Sequence, residues 1–144
     1  MNNLIISLEI NNKTKYKLDK KQITDNIKLV LKKNKFTGKI EVGIQFVPTK
    51  TIRSLNNKYR QIDSETDVLS FPTNNKITSN VINNLTNNLG DIIVCPDYAI
   101  KILKIWHNDW SKYSVLDKSK LVNKEIEFLI IHGLKHLIGI HHRE

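Results

Sequence analysis

His132 and His136 stand four residues apart near the end of the chain, with His141 and His142 following beyond Gly139. On a helix, residues four apart share one face about one turn apart, so the two imidazoles would project side by side. Gly139 supplies a residue able to take a left-handed conformation and end such a helix. The chain could then fold back and carry His142 toward the first two rings. Three neutral imidazoles that leave one coordination position open make a catalytic metal site rather than a closed structural one. His132, His136 and His142 are therefore the expected ligands, with His132 and His136 also at the centre of the chemistry. His141 is an alternative third ligand, or a group that supports the site or meets substrate. His107, among polar residues, reads as an ordinary surface histidine.

The same spacing fits the metzincin peptidase signature H-E-x-x-H-x-x-G-x-x-H. Those enzymes need a glutamate after the first histidine as general base, and this chain has Gly133 there. A hydrolase whose attacking water is activated mainly by the metal stays open, because metal binding lowers the pKa of water to about 7.

Positioning these residues requires a folded domain. The 144 residues carry a formal net charge of +9, which favours a polyanionic partner such as RNA or an acidic surface. Residues 13–39 alone hold ten lysines against two aspartates, a candidate phosphate track or a solvated helix face. Cys95 is the only cysteine, so no intrachain disulfide forms, in keeping with a reducing compartment. No secretory signal or membrane-length apolar run is evident, so a cytoplasmic protein is expected.

Leu4, Ile6, Leu8 and Ile10 alternate as a strand, and Ile40, Val42, Ile44 and Phe46 do the same. Ile23, Ile27, Val30 and Leu31 recur at helical spacing. Ile52, Leu55 and Tyr59 suggest a short helix ending near Arg60. Val68 to Phe71 and Ile92 to Cys95 suggest further strands, and Pro96 fits the first turn of a helix reaching Trp106. Residues 73–90 are asparagine-rich and read as an exposed loop. The last helix is expected over roughly 121–138. Ile126, Ile130, Leu134 and Leu137 form its core stripe, flanked by Phe128, Leu129 and Ile131, and the histidines lie opposite with Glu125. These elements predict one α+β domain over 1–144: roughly a four-stranded mixed sheet with four to five helices, and the metal site on the last helix.

Three blocks carry a family resemblance. Residues 132–142 match H-G-x-L-H-L-x-G-Y-D-H at His132, Gly133, His136, Leu137, Gly139 and His142. Leu55-Asn56, Tyr59-Arg60, Asp63 and Thr66 through Pro72 match L-N-x-x-Y-R followed by D-x-x-T-D-V-L-S-F-P. Leu89-Gly90-Asp91-Ile92 matches a G-D-I element. In all three, over roughly residues 40–142, the chain resembles the YbeY family of metal-dependent endoribonucleases.

The resemblance implies cleavage of single-stranded RNA in ribosomal RNA maturation, at the 16S 3′ end, and in ribosome quality control. Ribosomal RNA and ribosomal particles would be the partners, with no membrane involved. It implies one zinc ion per chain, or another divalent metal, and a metal-activated water that hydrolyses the phosphodiester. Arg60 matches the family's arginine, and a guanidinium can clamp phosphate oxygens and stabilise their charge. Ser70 and Phe71 are expected on the pocket wall, Phe71 able to stack on a base or to pack in the core. Asp91 would orient a ligand histidine or support a turn. Lys135 stands where the family has leucine and could reach phosphate, and Ile140-His141 replaces Tyr-Asp. The alternatives are an RNA- or ribosome-binding factor without catalysis and, on the spacing alone, a metzincin-like metalloprotease.

Overall fold

The protein is described by a computed structural model covering residues 3–73 and 86–140. Its elements run β1 (Leu4–Asn12), α1 (Lys20–Lys33), β2 (Gly38–Phe46), α2 (Thr49–Arg60), β3 (Val68–Pro72), β4 (Asn87–Val94), α3 (Pro96–Trp106), a single 3₁₀ turn (Trp110–Lys112) and α4 (Val115–Leu137). The sheet order is β1-β2-β4-β3, with β1, β2 and β4 parallel and β3 antiparallel on one edge. This is the α+β domain with a four-stranded mixed sheet that the alternating patterns predict.

Parallel β1 and β2 need a crossover, and α1 supplies it. Asp19 starts α1 by accepting from the Gln22 backbone N–H. Ile23, Ile27 and Leu31 then pack with Leu4, Leu8, Ile40, Val42, Ile44 and Phe46, and with Ile126, Leu129, Ile130 and Leu134 of α4. Tyr16, in the β1–α1 connection, packs on Phe46 and donates its hydroxyl to Asn123 of α4 at 2.9 Å. A second, smaller core joins Ile52 of α2 to Val47, Leu69, Ile93 and Cys95. One face of the sheet thus carries α1 and α4, and α2 serves the opposite face near β3.

Three boundaries differ from the sequence expectation. The expected loop over 73–90 gives way to β4 from Asn87, and the strand ends at Val94, leaving Cys95 as the residue that caps α3. Pairing, not hydrophobicity, extends β4: Asn87 aligns with Ile40 of β2 and Gly90 with Pro72 of β3. The register shifts between Glu41 and Gly43, which face Asn88 and Asp91. The extra β4 residue is a bulge at which Gly90 takes a φ of +124°. It lets Leu89 and Ile92, three apart, enter the same core. Residues 74–85 of the expected loop lie outside the described residues.

The last helix starts at Val115, about two turns earlier than expected. Its opening turns are mostly exposed, Val115 and Leu116 included, so no buried apolar stripe marks them. Their signal is local: Ser114 accepts from the Asp117 backbone N–H at 3.0 Å.

Candidate metal and phosphate groove

α4 brings the two histidines together as their spacing requires. Their Nε2 atoms face each other at 3.1 Å, with ring centroids 4.6 Å apart and the planes at 77°. Two ligands of one tetrahedral zinc, each about 2.0–2.1 Å from the ion, stand roughly 3.3 Å apart. The pair therefore fits as two corners of a metal site. With both Nε2 atoms unprotonated, their lone pairs repel unless a cation lies between them. His132 and His136 are the members of that site within the described residues, where no group of three His, Cys, Asp or Glu side chains converges. The expected third ligand, His142, and its alternative His141 lie outside the described residues.

Gly139 ends the helix as expected. It takes a φ of +81°, its N–H reaches His136 O at 3.2 Å, and the Ile140 N–H reaches Lys135 O at 2.8 Å. These paired bonds form a Schellman cap, which turns the chain directly after the second histidine.

The histidines line a groove of about 820 Å³. α4 contributes Phe128, Leu129, His132 and His136 to it, edge strand β3 runs along it, and the end of α2 adds Tyr59 and Arg60. Thr66 and Asp67, in the loop that joins α2 to β3, complete the wall. The groove thus follows the free edge of the sheet.

Gly133 explains how α4 comes so near that edge. A Cβ there would stand 2.7 Å from Ile92 Cγ2 and 3.1 Å from Ser70 Oγ. Ser70 instead donates to the Gly133 carbonyl at 3.2 Å, tying β3 to the helix between the two histidines. Position 133 faces the sheet and is buried, so a metzincin glutamate would have neither room nor access to the groove.

Arg60 is exposed in the groove wall, and its Nη1 donates to Asn56 Oδ1 at 3.3 Å. Asn56 is 1% exposed and donates through Nδ2 to Ser64 O at 2.9 Å. One buried amide thus steadies both the arginine and the loop that leads into β3. Arg53 braces the same loop through Asp63 at 2.9 Å, and this pairing holds the Asp63 carboxyl below its ordinary range.

A model of the endoribonuclease YbeY family matches residues 9–144, which takes in every residue of the groove. The chain belongs to the YbeY family. The endoribonuclease YbeY of Acholeplasma laidlawii is 33% identical over 138 residues, covering 95% of this chain and 85% of that protein. The one from Finegoldia magna is also 33% identical, over 83% of this chain and 67% of its own length. A solution structure of a Thermotoga maritima protein, TM1509, is 24% identical, with a TM-score of 0.48 over 96% of this chain and 75% of that one.

Two of the three YbeY-like blocks, far apart in sequence, meet in this groove, but not every expected residue joins them. Arg60, Ser70, Phe71, His132 and His136 line it; Lys135 does not. Its register on α4 sets it about 60° from His132, yet it stays outside the lining. Asp91 also stands apart, exposed on β4 with its Oδ1 lying over Gly43 of β2. It therefore sits at the bulge, against β2. Phe71 packs into the second core and meets Tyr59 edge-on at 5.0 Å. Glu125 is half-buried, and burial first, then the charge of Asp67, holds its carboxyl above the ordinary range.

Phe128 corrects the sequence reading most clearly. Expected beside the core stripe, it is 62% exposed and stacks on His132 at 6.1 Å and 22°. Phe128, His132 and His136 repeat every four residues, so one groove-facing row was the available signal.

Proposed function

We propose that this chain is a zinc-dependent endoribonuclease that cuts single-stranded RNA, working on ribosomal RNA at the 16S 3′ end and in ribosome quality control. The chain is an endoribonuclease by family; the metal, the ribosomal substrate, the ribosomal particles as partners and the cytoplasmic setting are the proposal. One observation carries it: two imidazole Nε2 atoms converge at 3.1 Å in a groove that also holds Arg60. The net charge of +9 supports a polyanionic substrate. Among the described residues no helix is long and apolar enough to cross a membrane.

His132 and His136 would hold the ion, with His142 as third ligand. Bound there, the metal supplies an activated water and polarises a phosphoryl oxygen. Arg60 would bind the phosphate from the other wall and stabilise the charge that grows on it. Asn56 keeps the guanidinium from swinging away, and the Ser70–Gly133 bond keeps the histidine helix against the wall. The buried position of Gly133 speaks against peptide hydrolysis by the metzincin template.

Elemental analysis of the purified full chain, paired with cleavage of a single-stranded oligoribonucleotide, tests this reading. The expected result is about one zinc per chain, loss of cleavage on chelation and recovery on adding zinc. Undiminished cleavage by metal-free protein would sink the metal role. Metal-loaded protein that binds RNA without ever cutting it would favour a binding factor instead.

A further inference from the structure

We propose that Phe128 is a stacking platform for one unpaired nucleobase next to the scissile phosphate, so that it selects RNA that is single-stranded at the cut. This rests on reading the groove as an RNA site. The large apolar residues on the core-facing side of this half of α4, Ile126, Leu129, Ile130, Leu134 and Leu137, are at most 9% exposed. Phe128 is 62% exposed, so the core does not account for it.

Its placement supplies a reason. It stands one turn before His132, its ring within 22° of parallel to the imidazole, on the groove that Arg60 also lines. The other groove aromatics are engaged: Phe71 lies in the second core, and Tyr59 meets Phe71 edge-on with Lys58 Nζ 5.2 Å from its ring centre. Phe128 is thus the most exposed groove aromatic, at 62% against 53% for Tyr59, and the one beside the histidine pair, with its ring set against His132.

Charge complementarity identifies the occupant. With Arg60 to take a phosphate, a nucleotide at the histidines puts its base within reach of this ring. Base–aromatic stacking is tolerant of sequence, because every base has a π-face. A base inside a duplex is already stacked and paired, so only an unpaired one reaches Phe128 without an unstacking cost. The chemistry selects strandedness and leaves base identity largely unread.

The test uses the full chain and single-stranded oligoribonucleotides. Phe128→Ala is expected to lower kcat/KM by roughly 5- to 150-fold, the equivalent of one lost stack. Phe128→Trp should restore it and Phe128→Leu should not. An abasic nucleotide scanned along the substrate should penalise the wild type at one position next to the cut, and Phe128→Ala should show no further loss there. In a cleavage-resistant oligonucleotide, 2-aminopurine at that position should be quenched by the wild type and by Phe128→Trp, but not by Phe128→Leu. Because the ring is exposed, all variants should melt with the wild type.

The inference fails if Phe128→Leu cleaves and quenches like the wild type. It also fails if the abasic penalty persists in Phe128→Ala, for the ring would then only steady His132. Wild-type protein that neither binds nor cuts any RNA overturns the endoribonuclease reading itself, and the stacking platform with it.

Discussion

Two histidine clusters in this protein use similar residues to opposite ends. His107 sits between Trp110 and Tyr113, with ring centroids at 6.4 and 5.7 Å, and its Nδ1 lies 3.3 Å from the Tyr113 hydroxyl. That cluster closes on itself. The Trp110 N–H returns to His107 O at 2.9 Å, and the His107 N–H to Leu103 O at 2.9 Å, so the group ties the end of α3 to the 3₁₀ turn. His132 also has an aromatic neighbour, yet its Nε2 turns toward a second imidazole and a groove. An aromatic neighbour is common to both clusters. What separates them is convergence of ring nitrogens on an open cavity.

Alanine substitutions should divide the two sharply. His136→Ala removes a ligand and should lower cleavage by about 10³-fold or more, since a catalytic metal contributes several kcal/mol. Zinc content should fall with it. His107→Ala should cut RNA at the wild-type rate while losing about 1 kcal/mol of stability with its hydrogen bond and ring contacts. Equal activity losses in the two variants would erase the distinction.

The arginines of α2 extend the comparison. Arg53 spends its guanidinium on Asp63, whereas Arg60 lines the groove with one bond to Asn56. Arg60→Ala should cost roughly 10²–10³-fold in kcat, the usual loss for a group that stabilises transition-state charge. Arg60→Lys should recover only part, because an ammonium lacks the fork that grips two oxygens. Arg53→Ala should remain near the wild-type rate. A substrate titration separates binding from chemistry: a rise in KM alone would make Arg60 a binding group only.

Much of this division is readable from residue type and spacing. Imidazoles four apart must share a helix face, and a glycine three residues later is well suited to end it. The joining of Arg60 to the histidines is of another kind. Seventy-two positions separate Arg60 from His132, and only the family blocks, not periodicity, bring them together. Pairing with neighbours decides where β4 begins, and no window centred on Asn87 contains β2 or β3. Phe128 shows the limit of hydrophobicity itself, which marks a phenylalanine as apolar without saying whether it meets the core or a groove. Lys135 shows a limit of the helical wheel: it projects about 60° from His132 around the helix and still does not line the groove.

The smallest expected effect tests whether the histidine pair depends on how near α4 lies to β3 and β4. Alanine in place of Gly133 gains about 1 kcal/mol in helix propensity. Its Cβ would also stand 2.7 Å from Ile92 Cγ2, in a side chain that is fully buried and cannot step aside. Overpacking of this kind costs about 1–3 kcal/mol, so the steric term should win and Gly133→Ala should melt below the wild type. Relief requires α4 to back away, which also strains the Ser70 bond to the Gly133 carbonyl. That movement shifts His132 and His136 together relative to Arg60, so cleavage should fall by more than the lost stability explains, while zinc binding is largely kept. Gly139→Ala is the control, because its added Cβ meets no atom of the described residues within 4 Å, and the φ of +81° is what opposes it. A Gly133→Ala protein as stable and active as the wild type would mean that the helix has slack here, and that the close approach does not set the geometry of the groove.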